Sequence, residues 1–159
     1  MLTVECLSLC YNYFNMARDL IHDAVKNALL KDKWIITADP YTVPYKDVEV
    51  YADLAAERPV AAERNGHKIA VEIKSFAGRS GMHELHGALG QYQIYRMFLE
   101  QIEPERELYL AIASRVYETF FQLKAIQHIV ERYQLSLLVV DLQKQEIVTW
   151  KRQPSIDQL

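Results

Sequence analysis

The sequence predicts an α/β domain in which a mixed central β-sheet is flanked by helices. Segments with helical periodicity alternate along the chain with short β-prone segments, in the order α β β β α β α β β, and such alternation is typical of this class. The chain has 159 residues, of which 50% are hydrophobic and 25% charged, so it can enclose one continuous core. Five glycines and five prolines are few for this length, so we expect long elements.

The first helix is predicted over residues 17–30, because Ile21, Val25 and Leu29 recur at the four-residue spacing of one helical face. Lys31 follows its end, where a positive charge interacts favourably with the helix dipole. Two β-prone segments come next, and we expect strands at residues 34–37 and 48–54.

The clearest local signal is a β-hairpin. Asn65-Gly66 separates a short segment at residues 60–64 from a segment at residues 67–75 in which apolar and polar residues alternate. Asn-Gly favours the two-residue type I′ turn, whose twist matches that of paired strands. The sequence therefore predicts that these two segments pair as neighbouring antiparallel strands.

The rest of the chain is predicted to form further helices and strands from helical spacing, apolar runs and a stop at Pro104. These elements are a helix at residues 83–101, a buried strand at 108–113, a continuous or broken helical stretch at 117–133, and two strands at 135–140 and 146–150.

The domain organisation follows from these boundaries. We expect a single domain over residues 16–151 and a polar tail at residues 152–159. Because the segment that begins with Met16 looks like a natural start, we expect residues 1–15 to be an upstream extension.

The composition excludes several classes of protein. Lys and Arg total 18 against 21 Asp and Glu, a net charge of −3, so the chain lacks the basic surplus of proteins that coat nucleic acids. Any contact with DNA must then be local or completed by a partner. No apolar segment approaches the roughly 20 residues that span a bilayer. Cys6 and Cys10 are too few for a disulfide framework, and Glu5 lies where a secretion signal carries basic residues. We expect a cytoplasmic protein without membrane contact.

Residues 71–75 carry the outstanding chemical pattern, Val-Glu-Ile-Lys-Ser. Because the side chains of a strand alternate between its faces, Glu72 and Lys74 project together and Ile73 points the other way. Asp53 lies at the end of another predicted strand, and if the two strands adjoin, its carboxylate and that of Glu72 can converge on one cation. The backbone carbonyl of Ile73 is a third oxygen ligand of the kind that Mg²⁺ or Mn²⁺ prefers.

Such a site would have a defined chemistry. The cation would polarise a phosphodiester and lower the pKa of a bound water. Lys74 would act as a catalytic point charge that stabilises the negative charge growing on the phosphoryl group. This chemistry is that of phosphodiester hydrolysis, for which Asp53, Glu72 and Lys74 are the candidate catalytic residues.

Two questions stay open at this point. A Glu and a Lys two positions apart on a strand commonly form only a weak, solvated ion pair, and pattern alone favours that interpretation by about three to one. The apolar neighbours of Glu72 and the helix that follows favour a cleft instead. The second acid is also open, because Glu57 falls nearer Glu72 than Asp53 does if the hairpin pairs without a bulge. Glu63 is a further alternative, although the pleat takes it toward the hairpin tip.

Three further polar residues could support the site. Gln91 and Tyr95 are four positions apart on a predicted helix and share one face, from which an amide and a phenol can hold a water or a phosphate oxygen. His22 lies at the edge of the apolar stripe of the first helix and could face the same site. Ordinary helix packing explains Gln91 and Tyr95 equally well, and a hydrogen-bonded boundary position explains His22.

Tyrosine is abundant, with ten residues in the chain. Most are expected in the core or at its boundary. Because aromatic side chains are enriched at the cores of interfaces, we also expect some of them to form a surface for a homo-oligomer.

Five blocks of the sequence carry a resemblance to a known family. The most specific is Lys68-Ile69-Ala70-Val71-Glu72-Ile73-Lys74-Ser75-Phe76. The others are His22-Asp23-Ala24-Val25-Lys26-Asn27-Ala28-Leu29, Ile36-Thr37-Ala38-Asp39-Pro40, Ala88-Leu89-Gly90-Gln91-Tyr92 and Arg132-Tyr133-Gln134-Leu135. Together, over about residues 16–150, they resemble the XisH family, the fdxN element excision controlling factors of cyanobacteria.

The resemblance implies a nuclease-like architecture. The family is placed in the PD-(D/E)xK nuclease-like superfamily, whose restriction-endonuclease-like core has the order αβββαβ, extended here by a C-terminal helix and strands. In that core the acidic residue of the second strand corresponds to Asp53, and the E-x-K motif corresponds to Glu72 and Lys74. The glutamine–tyrosine motif of the RecB-like branch corresponds to Gln91 and Tyr95.

The first helix of the superfamily often carries an acidic residue as well. In this sequence the candidates for that position are His22, Asp19 and Asp23.

The resemblance also implies partners and two alternative functions. XisH proteins are linked to the programmed excision of a DNA element by a site-specific recombinase, together with a small companion, XisI. One expectation is therefore a Mg²⁺-dependent DNA endonuclease. The alternative is a catalytically inactive accessory protein that regulates the recombinase by binding DNA or an XisI-like partner.

Overall fold

A six-stranded mixed β-sheet forms the centre of the computed structural model, which describes residues 4–43 and 60–153. The elements are, in chain order, α1 (Val4–Lys31), β1 (Ile35–Ala38), β2 (Val60–Arg64), β3 (His67–Ile73), α2 (Gly81–Ile102), β4 (Arg106–Ala113), α3 (Ser114–Thr119), a 3₁₀ helix (Phe120–Gln122), α4 (Lys124–Arg132), β5 (Leu137–Asp141) and β6 (Glu146–Lys151). The predicted fold class, a mixed sheet flanked by helices, is confirmed.

The strands lie in the sheet in the same order as in the chain. β1 pairs antiparallel with β2, and β2 pairs antiparallel with β3. β3 and β4 are parallel, β4 and β5 are parallel, and β6 closes the sheet as an antiparallel neighbour of β5. Parallel neighbours need a crossover connection, and α2 supplies it between β3 and β4.

The β2–β3 hairpin turns at Asn65 and Gly66, as predicted. Their φ angles are +50° and +80°, in the left-handed region that both central residues of a type I′ turn require. The strands pair without a bulge, from Val60 opposite Val71 up to the turn. Because this register is uninterrupted, the alternation of side chains along β3 is preserved over the paired length.

The sheet has a buried core on each face. α1 packs on one face through the apolar stripe that predicts the helix, and α2 and α4 pack on the other. Successive side chains of β3 alternate between the two cores, with Val71 and Ile73 in the core beside α1 and Ala70 in the core beside α2. The side chains of residues 72 and 74 therefore belong to the α2 face.

Most element boundaries agree with the predictions to within two residues, and two differ more. α1 begins at Val4 rather than at residue 17, because no glycine or proline interrupts the sequence before that point. The helical stretch predicted at residues 117–133 is broken at Phe120–Gln122, where Phe121 is buried and anchors the break in the core. The strand predicted at residues 48–54 lies outside the described residues.

α1 is 28 residues long. The expected boundary between an extension at residues 1–15 and the domain falls inside it, and the residues on both sides continue one helix. Neither α1 nor any other helix in the described part of the chain combines the length and hydropathy needed to cross a bilayer.

Candidate functional site

One edge of the sheet collects the carboxyl ends of four strands. β1 and β3 are both antiparallel to β2, and β3, β4 and β5 are parallel, so all four run in the same direction. In open α/β sheets, ligand sites lie preferentially at this edge. The residues that follow β1 and β3 there, Asp39 and Lys74, both carry charge.

Glu72 and Lys74 lie at this edge as a buried ion pair. Glu72 is completely buried, 0% exposed, and sits opposite Leu110 of β4 in the parallel register. The Lys74 backbone N–H donates to the carbonyl of Ala111, 3.1 Å away, and continues the ladder beyond β3. The Lys74 Nζ lies 3.3 Å from Glu72 Oε1, and its side chain is 13% exposed.

This geometry decides between the two interpretations of the Glu-x-Lys pattern. Glu72 and Lys74 project together and Ile73 points into the opposite core, as predicted. The alternative of a solvated surface pair is wrong, because the Glu72 side chain has no exposed surface. A buried ion pair costs desolvation energy that its attraction only partly offsets, so it adds little stability compared with apolar packing.

α2 adds the predicted glutamine and tyrosine to the same layer. Tyr95 is 7% exposed and belongs to the core between α2 and the sheet. Gln91 lies one helical turn before it, beside the buried Ala88. The Gln91 Oε1 atom is buried and accepts no hydrogen bond from the residues that the structure describes. A buried amide oxygen in this state is unusual, and it suits a ligand, water or cation that would complete its hydrogen-bonding capacity.

The predicted metal ligands are only partly within the described residues. Asp53 and Glu57 both fall outside them, so the identity of the second acid stays a prediction. Among residues 4–43 and 60–153, no group of three His, Cys, Asp or Glu side chains could hold a metal ion. The carboxylate of Glu72 and the backbone carbonyl of Ile73 are oxygen donors of the kind that Mg²⁺ or Mn²⁺ prefers, so their chemistry fits such a cation.

Glu63, the other alternative acid, lies at the far end of the hairpin. It pairs with Lys68 in the β2–β3 register, four positions along β3 from Glu72. Its Oε1 atom lies 3.5 Å from the guanidinium of Arg106. Four residues of a strand span about 13 Å, which separates Glu63 from the Glu72 carboxylate.

His22 lies at the carboxyl edge but pairs with a different residue. Its Nε2 atom is 3.0 Å from Asp39 Oδ1, and Lys26 on the next turn of α1 contacts the same carboxylate. Burial acts to raise the pKa of Asp39, but the hydrogen bonds from Lys26 and His22 outweigh it and lower that pKa. α1 packs on the sheet face opposite to the side chain of Glu72. The two acids named as first-helix candidates, Asp19 and Asp23, are exposed.

A second ionic cluster at the opposite end of the sheet was not predicted. Arg106 is 8% exposed and donates two hydrogen bonds to Glu103, of 2.6 and 3.0 Å. The Tyr41 hydroxyl donates to the same carboxylate at 2.9 Å, and the Lys68 ammonium lies 3.4 Å from it. These donors, with Arg106 foremost, lower the pKa of Glu103 to about 2. The cluster joins the residues just after β1, the start of β3 and the α2–β4 turn. Glu103 and Arg106 are three positions apart, whereas Tyr41 and Lys68 reach Glu103 over separations that no short sequence pattern identifies.

The loop that carries Lys74 toward α2 is held by aromatic packing. Phe76 has φ +51°, a left-handed conformation that is costly for a bulky side chain. Its ring packs edge-on against Phe121 at a centroid distance of 5.4 Å and tilted against Phe120 at 5.8 Å. Ser80 then caps α2 by accepting a hydrogen bond from the His83 backbone N–H. Backbone strain next to a buried charge pair is a common property of functional sites.

Comparisons with known proteins agree on one family. Residues 16–148 match the family described as XisH protein. A crystal structure of an fdxN element excision controlling factor protein from Anabaena variabilis is similar, with 43% identity and a TM-score of 0.78; the match covers 85% of this chain and 100% of that chain. A crystal structure of an XisH family protein from Nostoc punctiforme PCC 73102 is also similar, with 41% identity and a TM-score of 0.77, covering 84% of this chain and 99% of that one. No curated protein matches.

Proposed function

This chain belongs to the XisH family, and on that premise we propose that it takes part in the controlled excision of a DNA element. We further propose that the Glu72–Lys74 pair is the site at which it acts on a DNA phosphodiester, as a Mg²⁺-dependent endonuclease of the PD-(D/E)xK type. Such a protein would work in the cytoplasm, where its DNA is.

The observation that carries the proposal is the burial of Glu72 beside Lys74 at the carboxyl edge. The Glu72 carboxylate is 0% exposed, and the ammonium of Lys74 lies 3.3 Å from it. Because buried ion pairs contribute little net stability, the presence of one in a central strand favours a role in binding or chemistry. The buried amide oxygen of Gln91 on the facing helix supports the same interpretation.

The roles of the residues follow from their chemistry. A Mg²⁺ or Mn²⁺ ion, when bound, would polarise the phosphodiester and lower the pKa of a coordinated water. Glu72 would hold the ion, together with the carbonyl of Ile73 and the predicted Asp53. Lys74 would stabilise the negative charge that develops on the phosphoryl oxygens.

Gln91 and Tyr95 would position the reacting groups in this proposal. The Gln91 amide oxygen can accept a hydrogen bond from the attacking water, and the Tyr95 hydroxyl can donate one to a phosphate oxygen. His22 would act only indirectly, because its imidazole pairs with Asp39.

The test is cleavage of plasmid, flapped and junction DNA by the purified chain with Mg²⁺. We expect Glu72→Gln and Lys74→Met to abolish cleavage, since each removes one charge from the site. Lys68→Met is the matched control, because Lys68 lies on the same face of β3, six positions earlier, and pairs with Glu103 and Glu105 instead. Cleavage that persists in both site variants would refute the assignment.

A catalytically inactive accessory role is the second candidate, and the net charge of −3 favours it. An acidic chain attracts DNA weakly, so a companion of the XisI type would have to complete the binding surface. In this function Glu72 and Lys74 would bind DNA without cleaving it, and the chain would regulate a site-specific recombinase.

A gel mobility shift separates the two functions. The accessory role predicts retarded DNA only when the XisI-like companion is present, and no cleavage with Mg²⁺ under any condition. Turnover of DNA by the chain alone would exclude the accessory role.

A further inference from the structure

The first half of α1 presents a row of large hydrophobic side chains to solvent. Leu9 is 70% exposed, Tyr13 61%, Met16 56% and Leu20 62%, and we refer to these four residues as the N-terminal stripe. One residue later the environment changes, because Ile21 is buried at 2% exposure in the core beneath α1. An exposed row of large apolar side chains along one helix face is of the size that is often functional, and it marks a candidate interaction surface.

The spacing of the stripe identifies the kind of partner. Its members are separated by four, three and four residues, which is the alternation of a heptad repeat. A 3.5-residue period suits a seam with one other helix. The partner that fits this stripe is therefore a second helix with the same repeat.

A second copy of this chain supplies that helix. The stripe is symmetric about the point between Tyr13 and Met16, so in an antiparallel pair each Leu9 faces a Leu20 and each Tyr13 faces a Met16. This reciprocity is the condition for a two-fold interface. Between Leu9 and Leu20 the chain has one arginine and one aspartate, so two copies do not repel each other there.

The position of the domain favours the antiparallel arrangement. Because Ile21 enters the domain core directly after Leu20, a parallel pair would bring two domains together at that end. An antiparallel pair places them at opposite ends and also opposes the two helix dipoles.

We propose that this chain forms a two-fold dimer in which the N-terminal stripes of two copies pair as antiparallel helices. Four side chains per copy, with on the order of 100 Å² each, would bury roughly 800 Å² in total before flanking residues are counted, which is typical of weak interfaces. The dimer should therefore be concentration-dependent. Leu9 and Tyr13 lie outside residues 16–148 that match the XisH family, so the proposal is separate from the proposed function.

Sedimentation velocity on the full chain, from low micromolar to submillimolar concentration, tests the dimer. We expect the mass of the wild type to rise toward that of a dimer, and Leu9→Glu to stay dissociated at concentrations where the wild type is dimeric. Tyr11→Glu is the matched control, because Tyr11 is also 70% exposed on the same helix but lies off the stripe. Circular dichroism verifies that each variant is folded. A wild-type monomer at every concentration, or equal loss in the Tyr11 variant, would overturn the proposal.

A charge exchange tests the orientation. In the antiparallel dimer, Leu9→Lys combined with Leu20→Glu places opposite charges across the seam at both ends, whereas Leu9→Lys with Leu20→Lys places like charges there. We expect the Lys/Glu variant to associate roughly tenfold more tightly than the Lys/Lys variant, since charge pairs set orientation in paired helices. Equal dissociation constants would overturn the antiparallel arrangement.

Discussion

Replacing Lys74 by methionine should destabilise the protein strongly, because it leaves the Glu72 carboxylate buried without its ammonium. At the observed separation of 3.3 Å, the attraction between two unit charges is about 5 kcal/mol at an effective dielectric constant near 20. Desolvation of the two ions cancels most of this energy in the native protein. Removing one ion takes away the attraction but leaves the desolvation cost of the other ion, and such substitutions lower the free energy of unfolding by about 3–5 kcal/mol.

The double variant Glu72→Leu with Lys74→Met gives the opposite expectation. It removes both charges and keeps a comparable side-chain volume. Such replacements raise the free energy of unfolding by about 0–3 kcal/mol. The protein would thus become more stable as it loses the proposed site. Urea unfolding followed by circular dichroism measures the free energy of unfolding of both variants and the wild type.

The control is Lys68→Met on the same face of β3. Lys68 is half-buried rather than buried and lies 3.4 Å from the half-buried Glu103 and from the exposed Glu105, so its loss should change the unfolding midpoint little. A Lys74→Met variant as stable as wild type, or a double variant no more stable than Lys74→Met, would refute the reasoning.

Three further stability measurements test other parts of the structure. Hydrogen bonds from Arg106 hold the pKa of Glu103 at about 2, below the ordinary 4.5, so their stabilisation is complete above pH 4.5 and lost toward pH 2. After allowance for solvent screening this loss is about 1–2 kcal/mol, and it should shrink in Arg106→Met, as followed by urea unfolding against pH. The free energy of unfolding of Phe76→Gly should be about 1 kcal/mol higher than that of Phe76→Ala, because glycine accepts a φ of +51°. In helices and strands glycine is usually the less stable of the two, so equal thermal midpoints would contradict this expectation. Gly66→Ala should lower the free energy of unfolding by about 1 kcal/mol, because Gly66 has a φ of +80°. Gly90→Ala should raise it by about as much, because Gly90 lies inside α2 with open space around the new Cβ. Calorimetry distinguishes the two signs.

Local signals were sufficient for much of the fold. A type I′ turn requires positive φ angles at both central residues, and Asn-Gly accepts them readily. The hairpin and its register could therefore be predicted from this dipeptide. The alternation along β3 then placed Glu72 and Lys74 on one face, and the structure confirms it. These features depend on residues that are neighbours in the chain.

The features that sequence reasoning missed depend on distant residues or on missing stop signals. Asp39 is 17 residues from His22, so their pairing needs the packing of α1 beside the end of β1. Arg106 contacts the carbonyl of Ile69 across 37 positions, which no local pattern encodes. Sequence reasoning missed the start of α1 at Val4, because helical periodicity shows where a helix packs on a core and not where the helix begins.

The identity of the second acid could not be reached for a related reason. Asp53 and Glu57 are four positions apart, so on an uninterrupted strand both side chains would lie on the same face. The alternation of faces therefore does not distinguish them, and the choice depends on how the segment before β2 approaches Glu72.

The spatial order of the strands has a consequence for biosynthesis. Among the described residues, each of the six strands lies beside its predecessor, so each newly made strand can dock on the one before it, and none of these six must insert between two already joined. Such assembly can proceed from the amino terminus while the ribosome is still elongating the chain. The Glu72 side chain would then lose contact with water as α2 packs over its face of the sheet, after Lys74 has already been synthesised beside it.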